Sequence, residues 1–498
     1  MLWLALHLPL LSLEAFCATL PAGSDERPVA LIHEHHVAAA NVAALSRGIR
    51  PGCTRATALA LAADLVLGQA DPQRDARAQL DVAQAALACT PSVTVEGTGL
   101  VLLEVQASLR YFGGHAALLA RLRALLAPLG HRVQIASAPT ALGAAVLARW
   151  RDDLAEGPHS RDRRMLQALL DTAPVWMLGP AREHWEALQG MGLRQLEDLR
   201  RLPRSGLARR FGETLLDDLD RARGERPDPR RWLALPPHFE SHLELYTRAD
   251  TSAQLIHAAA HLMARLVAWA GAQQARVQAW TLVMKHEARH RGEAPETSTL
   301  RIELATPSAD AAHLLGLLHE RLARCELAAP TLEIAMRCHG HELHRGAPAS
   351  GELFPTRQSE SEGFGRLVER LRARLGDEQV LALQPVADHR PERGTRAVPV
   401  QQGGRGAAPR LTASRPLWLV PEPQPLPARD DGPLLDGRPL QLLVGPERIE
   451  SGWWDGALAT RDYYVAQQPD GALVWVFRDR LPAAGSHPGG WFLHGRYG

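Results

Sequence analysis

Apolar positions in the first third of the chain recur with two different periods. Residues 2–14 read as a buried strand running into a helix, and 93–105 as β-rich with a glycine break. Residues 132–137 predict a short strand, and 114–128 and 138–155 predict helices. The Ala-rich stretch 35–66 reads as mostly helical around a Gly48–Gly52 turn. This alternation implies an α/β layer with a helical insertion. Residues 178–224 change character, predicting short helices joined by tight turns. From 238 to 345 the alternation returns, with strands expected at 240–247, 276–285, 298–305 and 331–338 and helices at 252–270 and 308–325. Residues 362–376 predict an amphipathic helix carrying Phe364, Leu367, Val368, Leu371 and Leu375 on one face. Residues 385–436, rich in Pro, Gly and Arg, predict a flexible linker. Beyond it a small β module is expected, with strands flanking the turn Pro469-Asp470-Gly471.

Composition adds limits. A chain of 498 residues with 46% apolar content holds several domains with sizeable cores. A net charge of +1 gives no overall basic excess, so any nucleic-acid contact must come from local patches. Cys17, Cys53, Cys89, Cys325 and Cys338 are scattered and odd in number, which fits a reducing cytosol better than a disulfide framework. The apolar start, MLWLALHLPLLSLEAF, lacks a leading Lys or Arg and is interrupted by His7 and Glu14, unlike a signal peptide. Elsewhere no stretch approaching the ~20 apolar residues of a membrane span is expected. The expected location is the cytoplasm, in association with the nucleoid.

Several segments line up with motifs of one enzyme family. Ser12-Leu13-Glu14 matches an S-x-E, Leu103-Glu104-Val105 matches an L-D-V, and residues 138–148 match a third segment. Together they resemble the Y-family (translesion) DNA polymerases, most of all their ImuB-like branch, over residues 2–345. The resemblance extends to Gly498 through RPLWLVPEP, ERIESGWWDG, RDYYV and WFLHG. It implies an α/β (α+β) fold with palm (1–24 and 81–172), fingers (25–80), helical thumb (173–234) and little finger (235–346). A clamp-binding-like loop and amphipathic helix (347–384), a linker (385–436) and a β-rich module (437–498) follow.

Polymerases hold a metal pair about 3.5–4 Å apart with two or three carboxylates. In the family these come from a D-x-D and an S-x-D-E. Here the D-x-D positions fall on Ala5 and His7, and the acidic pair falls on Gly99 and Leu100. The Lys positions of the third segment fall on Ala141 and Ala145, and the usual fingers Arg on Leu45. The losses agree with one another. The resemblance therefore implies a non-catalytic adaptor in DNA damage tolerance, the SOS-induced translesion synthesis and mutagenesis, with no metal and no cofactor. The alternative is a weakly active translesion polymerase in which Glu96 or Glu104 substitutes for the lost carboxylates.

DNA contact is expected from two places. Gln189-Gly190-Met191-Gly192-Leu193 resembles a helix-hairpin-helix turn, where glycines let the backbone approach phosphate and the next helix offers its N–H groups. Arg194, Arg200, Arg201, Arg204, Arg209 and Arg210 follow it, and a solvated basic face is the plainer alternative. In the little finger, Lys285, Arg289 and Arg291 follow a strand. Binding is expected to be salt-sensitive and indifferent to sequence, on damaged primer–template or single-stranded DNA.

The resemblance also implies partners: the sliding clamp, an error-prone C-family DNA polymerase and a RecA-like (ImuA-like) accessory protein, with no membrane. Clamp peptides fill an apolar pocket with a Leu and an aromatic residue. Glu352-Leu353-Phe354 is the preferred candidate, and Arg415-Pro416-Leu417-Trp418-Leu419 the second; neither begins with the usual Gln. Three metal-like patterns read as decoys. His286-Glu287-Ala288-Arg289-His290 matches H-E-x-x-H but lies between a strand and a charged loop rather than on a helix. His33-Glu34-His35-His36 reads as a surface turn, and Cys338, before His339 and His341, continues a strand's apolar alternation as a core thiol.

Overall fold

The first strand, β1 (Trp3–His7), is apolar on both faces, and this places it at the centre of a sheet. Trp3 and Ala5 enter one buried cluster, while Leu2, Leu4 and Leu6 enter another on the opposite face. The computed structural model describes residues 1–287, 295–345, 357–400, 415–429, 432–480 and 490–497, without the side chains of Asp25 and of 357–362. They form two compact units, Met1–Arg370 and Leu371–Gly498.

After β1 come α1 (Leu11–Cys17), β2 (Val29–His33), β3 (His36–Ala40), α2 (Val42–Ser46), α3 (Arg55–Leu61), β4 (Val66–Gln69) and α4 (Pro72–Ala86). Then follow β5 (Val93–Val95), β6 (Leu100–Glu104), α5 (Leu109–Phe112), α6 (His115–Leu126), β7 (Gln134–Ala138) and α7 (Ala141–Trp150). The first sheet is antiparallel, in the order β5-β6-β1-β7. β3, β2 and β4 form a separate sheet, with β2 and β4 parallel. Residues 35–66 therefore contain a strand as well as α2 and α3, which corrects the mostly helical expectation. Ala39 and Ala40 pair with Leu31 and Ala30, and a backbone ladder outweighs alanine's small helix preference.

One face of the first sheet is closed by α7 and by six short helices: α8 (Arg163–Asp171), α9 (Gly179–Glu183), α10 (Trp185–Gly190), α11 (Leu196–Arg201), α12 (Arg204–Phe211) and α13 (Glu213–Arg223). The start of α7 abuts the end of α13. Thr140 donates to the Ala222 carbonyl at 2.7 Å and accepts the Gly143 N–H as its helix cap. A Cβ on Gly143 would come within 2.8 Å of that same carbonyl oxygen, so only glycine fits there.

The second large sheet takes β8 (Phe239–Ala249), β9 (Ala275–His286), β10 (Thr297–Ser308), β11 (Thr331–Cys338) and β12 (Leu343–Arg345), with α14 (Ser252–Ala272) and α15 (Ala311–Ala323) packed on it. By length and composition α14 could cross a membrane, contrary to the expectation that no internal stretch would. Its Leu255, Leu262, Met263, Leu266 and Trp269 are buried within the unit. Arg265 of α14 reaches Asp81 of α4 at 3.1 Å, both largely buried. The helix expected at 362–376 is α16 (Arg357–Leu375). Its buried side is Val368 and Glu369, and Glu369 accepts from the N–H groups of Ala305 and Thr306 and meets His313 at 2.9 Å. Of the expected stripe Val368 alone is buried, while Phe364, Leu367, Leu371 and Leu375 stay exposed, so the packing side overlaps the stripe at one residue.

The second unit contains β13 (Leu381–Pro385), β14 (Thr395–Pro399), β15 (Trp418–Leu426), β16 (Ala428–Arg429), β17 (Gly432–Leu435), β18 (Arg438–Pro439), β19 (Gln441–Ser451), β20 (Ala459–Gln467), β21 (Leu473–Asp479) and β22 (Trp491–Arg496). Its main sheet has the order β15-β22-β21-β20-β19. The segment 385–436 is thus not simply a linker, because its described residues include β14, β15, β16 and β17. Pro421, Pro423 and Pro425 lie in β15, an edge strand whose pairing with β22 shifts register between Leu419 and Gln424, and edges and bulges are where a sheet tolerates residues without an N–H.

Candidate functional site

The four positions where the family's acidic residues would stand come together at one end of the first sheet. His7 lies opposite Leu100, and the Leu8 N–H donates to the Gly99 carbonyl at 2.8 Å. Ala5, one pleat further in, lies between Leu102 and Ala136. Ala5 and Leu100 are fully buried in the apolar cluster under α7. Gly99 has φ +73°, and a Cβ there would sit 3.0 Å from the Leu8 carbonyl oxygen. Buried Gln79 of α4 fixes this corner, donating to the Gly97 and Leu100 carbonyls and accepting the Gly99 N–H. Ala141 and Ala145, where the resemblance places lysines, are buried in the same cluster.

The charged groups whose fields act on His7 are cationic. His7 Nδ1 is 3.1 Å from Gln134 Oε1. Burial holds the imidazole below its usual pKa; the Gln134 bond opposes this, and the fields of Arg149 and Arg182 reinforce it. Burial also lowers the Arg149 guanidinium, with Arg182 pushing the same way and Glu96 and Asp218 opposing. Glu96 is bound to Arg230, which also bonds Asp228. Asp218 pairs with Arg221 at 3.1 Å, and burial raises its pKa. A divalent pair needs several oxygen ligands of negative charge. Ala5, Gly99 and Leu100 supply none, and His7 is hydrogen-bonded beside two guanidinium groups. These residues do not fit a metal pair.

Glu104 lies at the far end of β6, opposite Trp3, and accepts the Leu2 N–H at 3.3 Å and the Gln106 N–H at 3.2 Å. Four residues of strand, about 13 Å, separate it from Leu100. Ser12 and Glu14 have structural partners: Ser12 bonds Asp75, and Glu14 accepts the Arg132 N–H at 3.1 Å beside His131. Leu45 is half-exposed on α2.

The glycine hairpin joins α10 to α11, with Gly192 at φ +79°. Its amides are already occupied. Met191, Gly192 and Leu193 donate to carbonyls of 187–189, Arg194 and Gln195 donate to the Asp198 carboxylate, and Leu196 donates to Ala173. The expectation that the following helix offers free N–H groups is therefore corrected, because Asp198 caps it from within. Gly190 and Gly192 face open space. Arg204 is held by Asp220 at 2.6 and 3.0 Å, Arg200 by Asp171 and Arg201 by Glu197. Arg194, Arg209 and Arg210 are exposed, and Arg210 lies over the Phe211 ring at 5.6 Å.

Lys285, the chain's one lysine, is exposed on β9 and meets Glu333 of β11 at 3.3 Å. Arg289, Arg291 and His290 lie outside the described residues, as do Glu352, Leu353 and Phe354. His286 ends β9 rather than starting a helix, and its ring is bonded to Ser298 and Thr331. The His33–His36 segment is an exposed hairpin turn, with Glu34 and His35 at positive φ. Cys338 is buried, and burial raises its thiol to about 12. In the second candidate clamp peptide, Leu417 and Trp418 are exposed at the start of β15, and Arg415 pairs with Glu447 at 3.0 Å.

Sequence reading did not identify Arg149 and Arg182 as neighbours of His7. They come from α7 and α9, and no local spacing links them to β1.

The impB/mucB/samB (IMS) family matches residues 12–149. Protein ImuB of Caulobacter vibrioides (strain NA1000 / CB15N) is 28% identical over 473 residues, covering 91% of this chain and 100% of that protein. ImuB of the C. vibrioides strain ATCC 19089 / CIP 103742 / CB 15 gives the same values. Among solved structures, a ternary complex of Dbh is 14% identical, covers 68% of this chain and 99% of its own, and has a TM-score of 0.38. DinB from Sulfolobus solfataricus is 15% identical, covers 68% and 98%, and has a TM-score of 0.36.

Proposed function

We propose that this ImuB-like, Y-family-like chain is a polymerase-shaped adaptor in DNA damage tolerance that carries out no nucleotidyl transfer of its own. One observation carries the reading. The corner of β1 and β6 that would hold the metal ligands contains Ala5, Gly99, Leu100 and a hydrogen-bonded His7 beside Arg149 and Arg182. The fields of Arg149 and Arg182 act against a divalent ion at His7, and the carboxylates that oppose them at Arg149, Glu96 and Asp218, are paired with Arg230 and Arg221.

On this reading the palm keeps its shape and loses its chemistry, and the work passes to surfaces. The thumb holds the DNA backbone through Arg194, Arg209 and Arg210, with Gly190 and Gly192 leaving room for a phosphate. Arg204 serves mainly to fix α12 on α13. Lys285, Arg289 and Arg291 of the little finger complete the grip. Such contacts give affinity without reading sequence. The C-terminal third recruits the sliding clamp, an error-prone C-family polymerase and a RecA-like accessory protein. Glu352-Leu353-Phe354 and the exposed Leu417-Trp418 pair are the candidate clamp peptides.

The test is primer extension by the purified full chain with Mg²⁺ and then Mn²⁺, with DNA binding measured on the same sample. Binding without extension is expected. Converting Arg194, Arg209 and Arg210 together to Ala should weaken binding and reduce the salt slope of log Kd by about 2 to 3. Extension that disappears in Glu96→Ala or Glu104→Ala would favour the weakly active polymerase; against that reading, Glu104 stands about 13 Å along β6 from Leu100 and Glu96 is bound to Arg230.

A further inference from the structure

In the second unit, seven residues join β19 to β20 and leave apolar rings in water. Trp453 is 77% exposed, Trp454 56% and Leu458 54%. The loop beneath them is fixed from below. Buried Arg390 donates to both oxygens of Asp455 (3.0 and 2.7 Å) and to the Ala457 carbonyl (3.0 Å), and it is itself held by Asp388. Arg393 bonds Asp455 from the other side, and the Ala457 N–H donates to Asp455. Gly452 sits at φ +86°, where a Cβ would overlap the Ala457 carbonyl oxygen at 2.1 Å. Arg390 also lies 5.5 Å from the centre of the Trp454 ring. Few side-chain or backbone freedoms remain to be lost when something covers these indoles.

From this geometry we infer that the 452–458 loop is a preorganised docking tip that inserts Trp453 and Trp454 into an apolar pocket of a partner protein. Charge selects the class of partner. Asp388, Arg390, Arg393 and Asp455 sum to zero and are mutually paired, so this network has no free cation for a phosphate. A single-strand site needs a cationic groove as well as rings. The two indoles also meet at 83°, edge to face, and so present no parallel platform for successive bases. The complementary surface is a pocket with an apolar floor and little net charge, and Trp is the residue type most often dominant at such contacts.

The choice of partners to test rests on the adaptor reading. The full chain and its Trp453→Ala/Trp454→Ala variant are titrated against the purified sliding clamp, C-family polymerase and RecA-like protein of the same organism, and against a single-stranded oligonucleotide. Tyr111→Ala, which removes an exposed ring of the first unit with no assigned role, serves as the control. The expected result is at least a 30-fold loss of affinity for one protein in the double variant, with Tyr111→Ala and the oligonucleotide unaffected. Asp455→Asn should give a smaller loss with both indoles kept. If the wild-type chain binds its partners and the double variant binds them equally, the docking tip is wrong and the adaptor reading stands. A loss confined to the oligonucleotide, or a change only in self-association, also overturns the inference. A wild-type chain that binds none of the three proteins overturns both.

Discussion

Two places in this chain treat apolar groups in opposite ways, one burying them and the other holding them in water. In the corner of β1 and β6, the positions where the resemblance places carboxylates hold buried Ala5, Gly99 and Leu100 and a partly buried His7. In the 452–458 loop, two arginines and two aspartates hold indoles out in solvent. A polymerase needs charge at the first place and has no use for exposed rings at the second. Ordinary selection for stability accounts for the filled corner, since an unpaired buried carboxylate is costly. It does not account for the loop, where the same rings would gain by burial. The comparison separates a corner filled by ordinary packing from a loop whose exposed rings packing does not explain.

The most severe test of the first half is to put the charge back. Ala5→Asp sets a carboxylate among Leu102, Ala136 and the underside of α7, and should destabilise the chain by about 3 kcal/mol or more, seen as a lower melting temperature. It should restore no extension in Mg²⁺. A stable Ala5→Asp chain that extends primers would mean that the corner had kept its function in reserve. For the second half, Gly452→Ala forces a side chain into a left-handed φ against the Ala457 carbonyl. A cost of about 2 kcal/mol is expected, read by denaturant melting, with weaker partner binding even though both indoles remain. Full binding by that variant would show that the loop need not be rigid.

The smallest effect concerns the sheet that carries the loop. His494 is buried, with Nδ1 2.7 Å from the Tyr463 hydroxyl, and burial pulls its pKa down to about 4. The unfolded chain takes up a proton near the ordinary histidine value, about 6.5, while the folded chain does not. Stability is therefore fully present above that value and falls as pH drops from it toward 4. Melting temperature should decline between pH 7 and pH 5, and His494→Phe should flatten the decline. An unchanged slope in that variant would assign the pH dependence to other groups.

Much of the first unit was legible because its elements announce themselves locally. The strand–helix period gave β1, β6, β7 and α7, and the motif spacings brought Ala5, His7, Gly99 and Leu100 to one corner. What was not legible depends on distant partners. Residues 36–40 are alanine-rich and read as helix, yet β2 recruits them into a sheet. Pro421, Pro423 and Pro425 read as linker because proline usually marks a break, yet an edge strand accepts them at alternate positions. Arg149 and Arg182 flank His7 only through the packing of α7 and α9. The stripe Phe364-Leu367-Leu371-Leu375 has the right spacing for a core face, but Glu369, the side chain anchored to Ala305, Thr306 and His313, lies on another side and orients the helix.

The edges of the last sheet bear on how copies of this protein behave when many are crowded together. A free strand edge is a template on which a neighbouring chain can add a strand, and crowding favours that reaction. β15, at one rim, carries three prolines and breaks register with β22 between Leu419 and Gln424. β19, at the opposite rim, breaks register between Leu442 and Val444 and again before Glu447. Neither rim presents the long, regular row of backbone groups from which fibres grow. Clustering can then proceed through side chains, which let go again, and not through backbone ladders, which do not.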